Sequence, residues 1–190
     1  MAPPSPELGN STQEQESLRA VALWAADCAE QALAIFESRH PTDTRPREAI
    51  EAGREFGRGK KRDKTLRVLS LAALKAGKDA DTPSKYAAQA ATLAASVAYT
   101  HTDLQTGLQG VRQARHLLGP AVYAALALET ATKDDSHIAA DVIQRAIETA
   151  PPEVSQLLKH MPPQPREKSR LSILFADLDS ALRTDESPSE

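Results

Sequence analysis

The charged residues best placed to do chemistry are Arg47, Glu51, Arg54 and Arg58. Offsets of four, three and four put them on one helix face. One reading is a solvated ladder of ion pairs, each worth about 0.3–0.5 kcal/mol. The sharper reading is an arginine-lined wall that meets Asp27 or Asp43 and keeps guanidinium donors for an anion or an acidic partner. Arg45 and Arg47 flank Pro46 at a helix start, where unpaired backbone amides point the same way. His101 and His116 form the second constellation. Either could do acid–base work, as His101 with Asp103 or His116 with Asp27. A metal would need three or four ligands, and no tight ligand spacing exists even with Cys28 or Asp27 added.

Cys28 lies on an alanine-rich helix face, where a small buried thiol is the default and a nucleophile would need a nearby base. Trp24 lies at the edge of the same apolar arc, as core or as one wall of a binding site. The run Arg58, Lys60, Lys61, Arg62, Lys64 and Arg67 is the strongest basic patch. Nucleic-acid binding would favour stacking aromatics beside it, and only Phe56 is near in sequence, so an exposed turn is the simpler reading.

These residues must be positioned by helices. Leu18, Ala22, Ala25, Ala29, Ala32 and Phe36 recur at helical spacing over a wide arc, which predicts a central helix. Asp27 falls near the edge of its narrow polar strip, partly shielded among Ala20, Trp24, Gln31 and Ala34. Ser11 and Glu14 have capping-box spacing for its start, and Pro41 follows its end. Pro46 opens a second helix with Ala49, Ile50, Gly53 and Phe56 on one face. Gly53 costs about 1 kcal/mol against alanine there, so a close neighbour, most simply the first helix, should compensate.

At about 1.5 Å per residue, Asp27 lies roughly 20 Å from the corner. Arg54 or Arg58 should therefore pair with it, while Arg45 and Arg47 serve the corner with Asp43 or an outside anion.

Further helices are expected around Leu66–Leu74, from Thr82 to Ala98, from Asp103 to Leu118, from Ala121 to Thr132, after Asp134-Asp135-Ser136, over Glu153–Lys159 and over Glu167–Leu182. Gly119-Pro120 predicts a break or kink, and Met161 to Pro165 an extended strap. No strand alternation appears.

The 190 residues suit one domain. A net charge of −3 argues against a dedicated nucleic-acid binder but not against a local patch. Hydrophobic residues make up 41% and aromatics only 4%, so helices should pack closely through alanine. One cysteine excludes an intrachain disulfide and suits a reducing compartment. Neither a secretory signal nor a transmembrane run is evident, which predicts a cytoplasmic protein.

The opening also resembles a known family. Leu23-Trp24-Ala25-Ala26-Asp27-Cys28-Ala29-Glu30, Phe36-Glu37, Arg45-Pro46-Arg47, Ala49-Ile50-Glu51-Ala52 and Arg54 are similar to the start of the immunity-5-like family. These are immunity proteins of bacterial polymorphic toxin systems, with fungal relatives. Gln31 stands where many members have histidine, and Phe56 where many have tryptophan. The likeness resumes more loosely at Ala98, His101, His116, Leu118-Gly119 and Tyr123-Ala124. It ends with Leu157-Leu158, Pro162, Pro165, Arg170, Leu178-Asp179 and Leu182-Arg183. The resemblance implies an all-helical fold and no enzyme chemistry.

We therefore expect a single compact all-α domain of seven to eight alanine-rich helices over 11–183, with tails at 1–10 (disordered) and 184–190. It should occlude a protein partner through Arg45, Arg47, Arg54, Asp27 and Trp24, without catalysis, metal, cofactor, nucleic acid or membrane. The alternative is a small-molecule-binding protein or enzyme with an acid/base site of Asp27, His101 and His116.

Overall fold

The computed structural model describes the backbone of residues 7–100, 106–133 and 135–184, and side chains from residue 13 onward within those stretches. It is all-α. Eight α-helices and one short 3-10 turn are present among the described residues, with no strand. They are α1 (Glu7–Arg39), α2 (Arg45–Gly57), α3 (Lys64–Ala76), α4 (Thr82–Ser96), the 3-10 turn Val97–Tyr99, α5 (Gly107–Ala131), α6 (Ser136–Thr149), α7 (Pro152–Lys159) and α8 (Arg170–Arg183).

Local chemistry sets most starts. Asp63 accepts from the Thr65 amide at 2.7 Å, Asp81 from Ser84 at 3.1 Å and Asp135 from His137 at 3.0 Å. Each satisfies one orphan amide of the first turn. Pro46, Pro83 and Pro152 stand in the first turns of α2, α4 and α7, where a missing N–H costs nothing.

Four expectations change. Helix α1 begins at Glu7, ahead of Ser11, whose side chain lies outside the described residues. The segments expected on either side of Gly119-Pro120 are one helix, α5, with Pro120 inside it. One lost backbone bond at Pro120 is outweighed by burial of the surrounding turn, Leu117 through Ala121. Helix α8 starts at Arg170 rather than Glu167, because Ser169 caps it by accepting from the Ser172 amide at 3.2 Å. The neighbour of Gly53 is α4, not α1. A Cβ on Gly53 would lie 2.8 Å from the Ala94 carbonyl oxygen.

Helix α4 is the hub, packed against α1, α2, α3 and α5. Its Ala87, Ala88, Ala90, Ala91, Ala94 and Ala95 are all buried. Small side chains let neighbouring backbones approach, which the low aromatic content requires. Helix α1 runs alongside, touching α2, α4, α5 and α7. Helices α6 and α8 close over α5, and α7 packs on α1 and α8. The Trp24 indole N–H ties α1 to α6, donating to the Ala146 carbonyl at 3.0 Å.

Candidate functional site

Helices α1 and α2 form an antiparallel hairpin fastened by three arginines. Nearest the corner, Arg47 grips Glu37 with two hydrogen bonds of 2.6 Å each. Midway, Arg54 Nη2 meets Glu30 at 2.6 Å and Asp27 at 3.0 Å, while its Nη1 meets Glu51 at 2.5 Å. At the far end Arg19 donates to the carbonyls of Phe56 and Lys60, the latter at 3.1 Å. Gly57 lies at this crossing. A Cβ there would meet Leu23 Cγ at 2.6 Å and the Arg19 carbonyl at 3.0 Å.

Arg54 is the centre of the arrangement. Its side chain is 11% exposed, whereas Asp27 is 72% exposed. Burial works to lower the guanidinium pKa, but the hydrogen bonds to Asp27 and Glu30 outweigh it and the net direction is up. One sunken cation thus holds three carboxylates at the surface, and the face it makes is acidic. The expected pairing of Asp27 with Arg54 is present, and the expected shielding of Asp27 is not.

Arg45 sits at the corner, as its position requires. Its Nε and Nη2 reach Asp43 at 2.8 and 2.6 Å, and its hydrogen bond holds the Asp43 carboxyl below the usual range. Arg47 takes Glu37 rather than Asp43 or an outside anion, and that bond raises its pKa. The arginine wall therefore spends donors inside the chain, fixing the shape of the α1–α2 face.

Beside this face lies a groove of about 520 Å³, lined by Leu23, Trp24, Asp27, Cys28, Gln31 and, from α6, Arg145. Trp24 is buried and acts as both strut and wall. Burial pushes the Cys28 thiol up to about 12, with the Asp27 charge adding, so the thiolate needed for nucleophilic attack is scarce at neutral pH. Arg145 carried no signal in the sequence. It stands on the polar side of a helix recognisable only by its apolar stripe.

A second groove, of about 530 Å³, lies between α3, the end of α4 and α5. Arg62, Arg67, Ser70, Tyr99, Thr100 and His116 line it. His116 thus faces a different groove from Asp27, and the two do not form a pair. His101 and Asp103 lie outside the described residues. The aromatic at the basic run is Tyr99, not Phe56. Arg62 stacks over the Tyr99 ring at 5.6 Å and donates to the Ala98 carbonyl at 2.9 Å, while Phe56 is buried under Arg19. No group of three or more metal-ligating side chains gathers among the described residues, and no described helix is long and apolar enough to cross a membrane.

Residues 11–106 match the family model described as Imm-5 like putative immunity protein. The chain belongs to this Imm-5 like family. Neither the curated proteins nor the solved structures give a significant match. The Imm-5 like stretch runs from α1 past the 3-10 turn, so it carries the α1–α2 face and the basic run. The similar motifs at His116 and in α7 and α8 fall beyond it.

Proposed function

We propose that this Imm-5 like chain is an immunity-type binding protein that occludes a protein partner, in the cytoplasm and without catalysis. The α1–α2 face is the contact surface, with Asp27, Arg45, Arg47, Arg54 and the Trp24 groove. The observation that carries this reading is the Arg54 centre. A rigid hairpin holds exposed carboxylates in fixed positions before any partner arrives. Such preorganisation lowers the ordering cost of association. Fixed acidic charge also steers a basic partner and rejects acidic ones.

The alternative acid/base site of Asp27, His101 and His116 is less favoured, since Asp27 and His116 line separate grooves and His101 lies outside the described residues. The test is to co-express the chain with any toxic effector that a neighbouring gene encodes and purify the pair. A stoichiometric complex with a silenced effector is expected. An effector that stays active, or is chemically altered and released, would contradict occlusion.

A further inference from the structure

Helix α3 has an outer face unlike the rest of the surface. Val68, Leu71 and Leu74 are 60%, 51% and 48% exposed. The opposite side of the helix carries Leu66, Ser70, Ala73 and Ala76, all buried. Ser70 locks that side to α4, its hydroxyl donating to the Thr92 carbonyl at 3.0 Å. The core is thus complete without the three aliphatic residues.

Their neighbours are cations. At about 100° per residue, Lys64, Arg67, Val68, Leu71, Leu74 and Lys75 all fall within an arc of about 120°. Lys78 follows one turn after Leu74. A shallow groove of about 320 Å³ continues the surface, lined by Leu74, Lys75, Gly77, Lys78, Lys85 and Gln89. Between Arg58 and Lys78 the single carboxylate is Asp63, and its Oδ1 is taken by the Thr65 amide at 2.7 Å. Lys64, Arg67, Lys75 and Lys78 have no ion-pair partner among the described residues. The contrast with α1–α2 is direct: there Arg45, Arg47 and Arg54 are each answered by a carboxylate of the chain, and here these four cations are left unanswered.

We propose that the outer face of α3 is a second docking surface, which takes an acidic amphipathic segment of a protein partner. Apolar side chains of that segment sit on Val68, Leu71 and Leu74, and its carboxylates meet Arg67, Lys75 and Lys78. Charge complementarity selects the occupant. A nucleic-acid backbone gains nothing from a central aliphatic ridge, and the one aromatic beside the basic run, Tyr99, is already covered by Arg62. The aliphatic core with a charged rim is the layout of a protein interface.

This inference rests on the reading of the chain as a binding protein but concerns a different face, so the two can fail separately. The full chain is made with a benzophenone amino acid replacing either Leu71 or Glu30, together with the products of its neighbouring genes, and irradiated. The expected result is a protein adduct from position 71 at a partner peptide rich in Asp, Glu and aliphatic residues. Reversing charge in Arg67→Glu with Lys75→Glu should cut that adduct at least tenfold while the thermal melt is unchanged. Leu71 itself, tested as Leu71→Ser in the unlabelled chain, should weaken partner binding by a similar factor. Adducts from position 30 alone would overturn the α3 surface and leave the binding reading standing. No protein adduct from either position would overturn both. An adduct to lipid, to nucleic acid or to a second copy of the chain at position 71 would overturn the proposed occupant.

Discussion

Asp27 and Arg54 share an ion pair but not a burden. Asp27 is nearly free in solvent, so Asp27→Ala removes one screened contact and should cost less than about 1 kcal/mol. Arg54 is sunken, and its stem packs while its head serves three carboxylates. Arg54→Ala leaves Asp27, Glu30 and Glu51 facing one another with nothing between, and should cost roughly 1–3 kcal/mol. Urea titration of both variants checks the asymmetry. Equal losses would mean that Arg54 is not the centre of the face. The pair was legible in the sequence because rise per residue fixes how far from a corner two helices can still meet. The exposure of Asp27 was not, because an arc of alanines does not say where the neighbouring helix stops. The role of Glu37 is missed for a related reason: helical spacing does not show which residue of α1 stands level with Arg47.

At the scale of elements, glycine and the caps carry the clearest expectations. Alanine is favoured over glycine inside a helix by about 1 kcal/mol. At Gly53 that preference is overruled, because a Cβ would press on the Ala94 carbonyl at 2.8 Å, and backbone cannot step aside as a side chain end can. Gly53→Ala should therefore lower the melting temperature, and Gly53→Leu should cost roughly 1–3 kcal/mol by overpacking. A melting temperature that rises in Gly53→Ala would show that α4 is not so close.

Three hydrogen-bonded aspartates, two of them caps, bear on stability in acid. Asp43, Asp63 and Asp81 are each held below the ordinary aspartate value of 3.8, chiefly by hydrogen bonds from Arg45, Thr65 and Ser84. A lowered folded-state pKa gives stability that is present above the unfolded value and lost as pH falls through the folded one. Stability should thus fall below about pH 4. Asp81→Asn keeps an acceptor for the cap but removes the titration, and should flatten that slope in acid denaturation curves. The caps and first-turn prolines were readable from residue types at fixed offsets. Which helices touch was not: α1 and α4 are both alanine-rich, and composition alone cannot say which of them Gly53 meets. The break allowed at Pro120 is absent for a physical reason, since burial of a whole turn outweighs one missing backbone bond.

The molecule as a whole is a bundle closed by its own C-terminal segment. Asp179 is 2% exposed, and its Oδ2 accepts from Arg183 Nε and from the Gln164 amide, both at 2.9 Å. Arg183 also donates to the carbonyls of Leu158 at 2.5 Å and Pro162 at 3.2 Å, and Gln164 reaches the Val111 carbonyl at 2.9 Å. These bonds strap the chain between α7 and α8 onto α5. Asp179→Ala leaves Arg183 unanswered in a buried setting and should cost about 3–5 kcal/mol in a denaturant titration. A loss under about 1 kcal/mol would show that the strap is not tied there. This clamp lies outside the stretch that matches the family model, which holds α2 through α4 and most of α1. A net charge of −3 conceals the division between an acidic α1–α2 face and a basic α3 face.

In the proposed reading the α1–α2 face binds a partner rather than merely bracing the hairpin. The affinity of the purified chain for any toxic effector that a neighbouring gene encodes is measured for the wild type and for Asp27→Ala, with the melting temperature of each. The dissociation constant should be at least tenfold weaker for Asp27→Ala at an essentially unchanged melting temperature. An unchanged affinity, with the variant fully folded, would contradict it.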